Sequence, residues 1–447
     1  MSFRSASDDF KIQERLNTDK SPETLFQSNY HKRHWGRKFE GSVFICVGLV
    51  TIITALSFFE SEQILTRVQR ENEIRDTGFI QLETGKYSGQ TDFGYFLGQG
   101  KFDFKDGSEV SGTWEDNVLH GDGEEIFPDK GEYSGHFKGS KKDGIGTFTW
   151  DSGAEYTGEW KNDQLNGSGH YSDGQGVLYS GEFLDNAFDY GTCTFKDDLG
   201  DYLLTYQDGG VVSAEITFSD GSTYKGEAND KDINGSGELS FASGDNYKGD
   251  FLNGARDGKG VYIWTSGDQY DGEWKEDAMS GTGTYTYADG SILNGEFENN
   301  TFESGSLQTQ NEFGSYDFTF EDGSPVKVSI SLTDGTTYEG DMDENGLNGT
   351  AQIRYSNGDK YSGSVVDGMK NGKGQYTWQN GANYDGDWVS DALQGQGVYK
   401  YATDEDGYKL RGTFNNGVPD GECTYFTDAN TSYKTTWQNG NCVKVEE

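Results

Sequence analysis

The chain has 447 residues, a formal net charge of −40 and 65 glycines against 4 prolines. That acidity argues against a nucleic-acid binder, which needs a basic face to neutralise phosphates, and almost as strongly against docking on an anionic lipid surface. Apolar residues make up 32% but aromatics reach 14%, which points away from disorder and towards many short strands joined by tight turns.

Residues 1–41 differ in composition from everything after them. Over the first forty, eight basic residues outweigh six acidic ones, and a mostly disordered, cytoplasmic segment is expected. Residues 42–59, SVFICVGLVTIITALSFF, carry no charge. As a helix they span about 27 Å, close to the hydrocarbon core of a bilayer, so a single transmembrane helix is expected. A cleaved signal peptide is the rival reading, but the stretch before it is too long and no A-x-A site follows. Lys32, Arg33, Arg37 and Lys38 precede the segment, while Glu60 and Glu62 follow it. The positive-inside rule then puts the N-terminus in the cytoplasm and the rest of the chain outside the cell membrane. Residues 60–78 read as a polar helical stalk or linker.

From residue 79 to 447 there is only repeat. Tyr270–Gly290, YDGEWKEDAMSGTGTYTYADG, reads as one β-hairpin: Tyr270, Gly272 and Trp274 alternate, EDAMSG turns, and Tyr285 and Tyr287 close the return strand. Asp289-Gly290 supplies the next turn. Similar units start at Tyr87, Val110, Tyr133, Tyr156, Tyr179, Tyr224, Tyr247, Leu293, Tyr338, Tyr361, Tyr384 and Leu410. Most starts lie 23 residues apart; two gaps of 45 hold a unit that keeps only strand-like alternation. A shift of 114 residues carries Tyr133 to Tyr247 to Tyr361, so the domain is nearly three copies of a five-hairpin block.

The pattern Y-x-G-x-[WF], then G-x-G, then [DS]-G resembles the MORN (membrane occupation and recognition nexus) repeat. YTGEW with GSG (156–160, 167–169) and YKGDF with GKG (247–251, 258–260) are close matches. Val110, Leu293 and Leu410 depart from it by replacing the leading aromatic, Ala228 replaces the Trp, and Ala351 replaces the second Gly of G-x-G. The expected fold is all-β, an elongated, twisted, single-layer antiparallel sheet of about fifteen stacked hairpins. A glycine between Tyr and Trp leaves room for an aromatic ring from a neighbouring strand to lie over bare backbone. The ends need capping, for which NCVKVEE (441–447) and the linker near Phe79 are candidates.

An enzyme finds little support. His120, His136 and His170 fall at non-equivalent repeat positions, there is no P-loop or G-x-S-x-G, and pairs such as Asp341/Asp343 and Glu124/Glu125 are ordinary in so acidic a chain. No cofactor and no metal site are expected. The oxygen-rich turns DMDENG (341–346) and TDEDG (403–407) lack the twelve-residue calcium loop. The resemblance implies scaffolding or self-association, and protein partners come first among the ligands. A cell-wall or glycan ligand is the alternative, for which Trp114, Trp160, Trp274 and Trp388 are the candidate contacts, since rows of such rings can stack on sugars. Cys423 and Cys442 sit in adjacent strands of the last hairpins and could pair on an oxidising side, which would leave Cys193 an unpaired, buried thiol.

Overall fold

The computed structural model describes residues 79–92, 94–402 and 408–446. The N-terminal segment (1–41), the expected membrane helix (42–59) and the stalk (60–78) lie outside the described residues. Among those described there are 33 β-strands, numbered in chain order from β1 (Phe79–Gln81) to β33 (Asn441–Glu446), and no helix, hence none long and apolar enough to cross a membrane. The strands belong to one open antiparallel sheet. By contacts the described chain divides between residues 258 and 259 into two units.

In the second unit, β18 (Gln269–Lys275) and β19 (Ala278–Thr286) form the hairpin expected at Tyr270. Its turn is tighter than EDAMSG. Lys275 faces Ala278, and only Glu276 (φ 47°) and Asp277 (φ 72°) lie between them. Two successive positive φ values define a type I′ turn, whose twist matches that of the flanking strands. Asx residues tolerate this region, and Asn299-Asn300 and Ser390-Asp391 repeat the geometry. The next turn does fall at Gly290, with φ 86° and its N–H donated to the Tyr287 carbonyl at 2.9 Å.

The glycines accommodate a ring, but from a different source than expected. Gly272 pairs with Gly283 across the hairpin, and a Cβ on either would strike the phenol of Tyr270 itself. The ring therefore belongs to the same hairpin and covers the bare backbone of its own strand and of the return strand. Tyr270 is fully buried, and its hydroxyl donates to the Glu273 carbonyl at 3.1 Å. Past the glycine pair the register shifts, so that Trp274 faces Met279. Such a bulge bends the strand and strengthens its twist just past the buried ring.

The two gaps in the 23-residue period contain strands as well. β12 (Gly200–Gln207) and β13 (Gly210–Phe218) fill the first, and β22 (Gly314–Glu321) and β23 (Ser324–Leu332) the second. β22 alternates strictly, with Tyr316, Phe318 and Phe320 buried.

Candidate functional surface

The four tryptophans singled out for glycan contact are not on an exposed row. Trp114, Trp160, Trp274 and Trp388 retain 7%, 6%, 3% and 4% of their accessible surface. Each indole Nε1–H donates to a carbonyl fourteen residues earlier: Gly100 at 3.0 Å, Gly146 at 3.1 Å, Gly260 at 3.0 Å and Gly374 at 3.0 Å. With faces packed and the polar handle bound, these rings have nothing left to offer a sugar. They pack edge-on against the leading tyrosines, as Trp274 does on Tyr270 with centroids 5.2 Å apart.

The tyrosines are equally committed. The hydroxyls of Tyr156, Tyr361 and Tyr384 donate to the carbonyls of Glu159, Ser364 and Asp387 at 3.0, 2.7 and 3.1 Å. Burial pushes the phenols of Tyr87 and Tyr384 up to about 12.

The acidic residue after the first glycine also has structural work. In G-x-G the bulge leaves the middle N–H facing that side chain. Glu227 accepts from Ser236 N at 2.9 Å, Asp341 from Thr350 N at 2.9 Å, and Asp387 from Gln396 N at 2.8 Å. Hydrogen bonds from the Thr350 hydroxyl and N–H hold the Asp341 carboxyl below the usual range. In the DMDENG turn, Asp343 accepts from Asn345 N and Asn348 Nδ2, both at 2.8 Å. The TDEDG turn lies outside the described residues. Among the described residues no three His, Cys, Asp or Glu side chains gather as a metal site.

Cys423 and Cys442 form no disulfide, and Cys193 is buried as expected. They stand on β31 (Val418–Phe426) and β33, with β32 (Ser432–Gln438) between them. Two strand spacings come to about 9.6 Å, beyond the reach of a disulfide. The zigzag order explains the error, since consecutive hairpins place alternate strands two positions apart. Cys423 stands opposite Gly412, where other units have the second glycine, and fills space that Leu410 cannot cover as Tyr does.

One set of residues escaped the sequence reading. Lys142 and Arg256 are 4% and 5% exposed, and Lys370 is nearly buried. They are related by the 114-residue shift. Lys142 Nζ meets Glu125 Oε2 at 2.7 Å and lies 5.0, 5.3 and 6.0 Å from the rings of Phe127, Tyr133 and Phe148. Lys370 Nζ meets Asp391 Oδ1 at 2.8 Å and the Tyr355 hydroxyl at 3.3 Å, with the Trp388 ring at 5.4 Å. Burial disfavours the charge on Lys370, but Asp391 and Tyr355 outweigh it and hold the ammonium above its ordinary pKa. Arg256 lies 5.6 Å over the Tyr247 ring. The shift that aligned the tyrosines also aligns KKDG (141–144), ARDG (255–258) and MKNG (369–372), so the signal was present.

In the first unit, a hollow of about 810 Å³ opens on the polar face of the sheet, lined among others by Thr194, Lys196, Asp201, Leu203, Glu215 and Lys225. Lys196 pairs with Asp201 at 2.9 Å and Lys225 with Glu215 at 2.7 Å, so its cations are already matched by carboxylates. It presents hydroxyls and paired charges, without the convergent nucleophile and base of a catalytic cleft.

A comparison with known protein families agrees with this picture of repeated hairpins. The MORN repeat family model matches nine segments: 87–109, 111–132, 133–155, 156–177, 247–269, 270–292, 361–382, 384–404 and 411–431. The chain thus carries MORN repeats, set in one open antiparallel sheet. No curated protein gives a significant match. Among solved structures, a point mutant of the TCP10 domain of Danio rerio CPAP is 12% identical, with a TM-score of 0.27, covering 52% of this chain and 98% of that one. The SAS-4 (dCPAP) TCP domain of Drosophila melanogaster, solved with a proline-rich motif of Ana2 (dSTIL), is 13% identical, with a TM-score of 0.19, covering 45% and 90%. At such scores neither likeness carries an argument about this chain.

Proposed function

We propose that this chain is a non-enzymatic scaffold, held in a membrane by residues 42–59 with its N-terminus in the cytoplasm, whose repeat sheet offers an acidic surface to protein partners. The observation that carries the reading is the division of labour between the two faces. One face is consumed by the chain's own rings, so recognition falls to the other. That face is laid out in cross-strand rows, such as Glu215, Lys225, Glu238 and Lys248 on four successive strands. Rows of this kind present similar patches at regular spacing, which suits an extended partner better than a small substrate. The overall charge of −40 favours partners with basic surfaces.

The test is to cross-link the full-length protein in its native membrane, solubilise it and identify the captured partners across a salt series. Capture of basic proteins that is lost as salt rises through about 0.5 M, where screening is strong, supports the reading. Capture of nothing above the level of an unrelated membrane protein overturns it. Protease digestion of intact cells checks the orientation: the repeats are expected to be cut, and complete protection would reverse the topology.

A further inference from the structure

The buried cations call for an explanation that packing alone does not give. In the other units the first inward residue after the type I′ turn is apolar: Leu119 faces Trp114, Leu165 faces Trp160, Met279 faces Trp274 and Leu393 faces Trp388. Lys142 instead faces Phe137, and Lys370 faces Val365. Position 251, which the 114-residue shift places with these two, holds Phe. Wherever the inward residue is a cation, its cross-strand neighbour is smaller than Trp, and the space so released takes the longer side chain. Volume is conserved, but chemistry is not. A buried ammonium requires an acid and aromatic faces, and these come from more than one hairpin.

The first cage shows how. Glu125 and Phe127 end β5 (Val118–Phe127), Tyr133 lies on β6 (Gly131–Lys138), and Lys142 and Phe148 lie on β7 (Lys141–Trp150). In the third, the acid comes from the opposite side: Asp391 sits in the turn after β28 (Asn383–Val389), while Tyr355 precedes β26 (Lys360–Val366). Lys142 and Lys370 thus each tie their own hairpin to a neighbour, and the 114-residue shift places Arg256 at the same point of the block between them.

We propose that Lys142, Arg256 and Lys370 are register keys that make the hairpins assemble in chain order. Hairpins that all present Leu or Met inward against Trp are interchangeable, and a chain of them can pair a unit with the wrong neighbour or with another molecule. A keyed hairpin in an unkeyed place brings its own smaller cross-strand neighbour with it but leaves behind the acid that the adjoining hairpin supplies, Glu125 for Lys142 and Asp391 for Lys370. Misplaced arrangements are thereby penalised once in every block.

The test refolds the full chain from denaturant in detergent. The variant carries Lys142→Met, Arg256→Met and Lys370→Met, Met being the residue that position 279 already uses in this place. The expected result is a several-fold lower yield of monomer, replaced by swapped dimers and larger species, while the unfolding midpoint of the recovered monomer stays at or above that of the parent. Unchanged monomer yield overturns the proposal, and so does a fall in yield matched by a fall in midpoint, which would make the cations ordinary stabilising residues. If the triple variant gives no monomer, Lys370→Met alone is read by the same two quantities. Its expected signature is a smaller loss of yield at an undiminished midpoint, and loss of both overturns the idea. Lys142→Arg with Lys370→Arg, which keeps both charges, is expected to refold like the parent.

Discussion

Hairpins β18–β19 and β22–β23 lie in the same unit and cover the same face by different means. The first removes side chains: Gly272 opposes Gly283, and the single ring of Tyr270 lies over both. The second places side chains everywhere, with Tyr316 facing Ile330 and Phe318 facing Val328. Its rings lie flat in series, as for Tyr316 and Phe318 with centroids 6.3 Å apart and planes 5° apart. The family model detects the first solution and passes over the second, since residues 293–360 match nowhere. A repeat signature therefore reports one way of burying a sheet face, and the backbone continues without it.

The comparison can be broken most sharply at the ring. Tyr270→Ala is expected to cost about 3–5 kcal/mol, at the upper end because two glycines have no side chains to collapse into the space. Phe318→Ala, flanked by Val328 and Ile330, should fall near the lower end. Urea unfolding followed by tryptophan fluorescence measures both, and equal losses would mean that the glycine pair is no special liability. Next in size is Gly283→Ala, expected to cost about 1–3 kcal/mol as the ring is forced off the backbone. The chain already carries the analogue at Ala351, where the hydroxyl bond of Tyr338 has lengthened to 3.4 Å. A Gly283→Ala variant as stable as the parent would show that the ring can shift at no cost.

Asp232 sharpens the comparison through pH. Nearly buried in the unit where Ala228 replaces Trp, it accepts from Ile233 N at 2.9 Å, and burial raises its carboxyl to about 6. The folded state thus holds a proton that the unfolded state gives up near pH 4. Its favourable contribution is complete below that value and is lost as pH rises through about 6. Asp232→Asn keeps the acceptor oxygen and removes the charge. It should stabilise the protein by about 2 kcal/mol at pH 7.5 and by almost nothing at pH 4. A gain independent of pH would exclude the carboxylate as its cause. The smallest effect is expected at the turns. Asn300 Oδ1 accepts from Met279 N at 2.7 Å, linking one hairpin tip to the preceding one. Asn300→Ala should cost about 1 kcal/mol in thermal or urea midpoint, from the lost bond and the strained φ of 69°.

Much of this architecture was legible in the sequence because the chemistry of turns and glycines is local. The 23-residue period, the turn at Gly290 and the strands within the two gaps follow from residues next to one another. What was not legible depends on register. Whether a ring lies over its own glycine or a neighbour's is decided by the pairing of Gly272 with Gly283 and by the bulge beyond it. The same zigzag separates Cys423 from Cys442. Trp274 looks alike in sequence whether its indole faces solvent or donates to Gly260, and only the stacking of the preceding strand decides. Lys142 reads as a surface residue, because nothing beside it announces that Glu125 and three rings will surround it.

The tip-to-tip bonds have a mechanical consequence. Within each unit, hairpins are joined to the next by backbone ladders, a side-chain staple such as Asn300 to Met279, and shared rings. A pull on one end loads these joints one after another, as a zip is loaded, and each hairpin that yields releases 23 residues, or roughly 80 Å of extended chain. Under tension such a sheet would lengthen in steps of about that size.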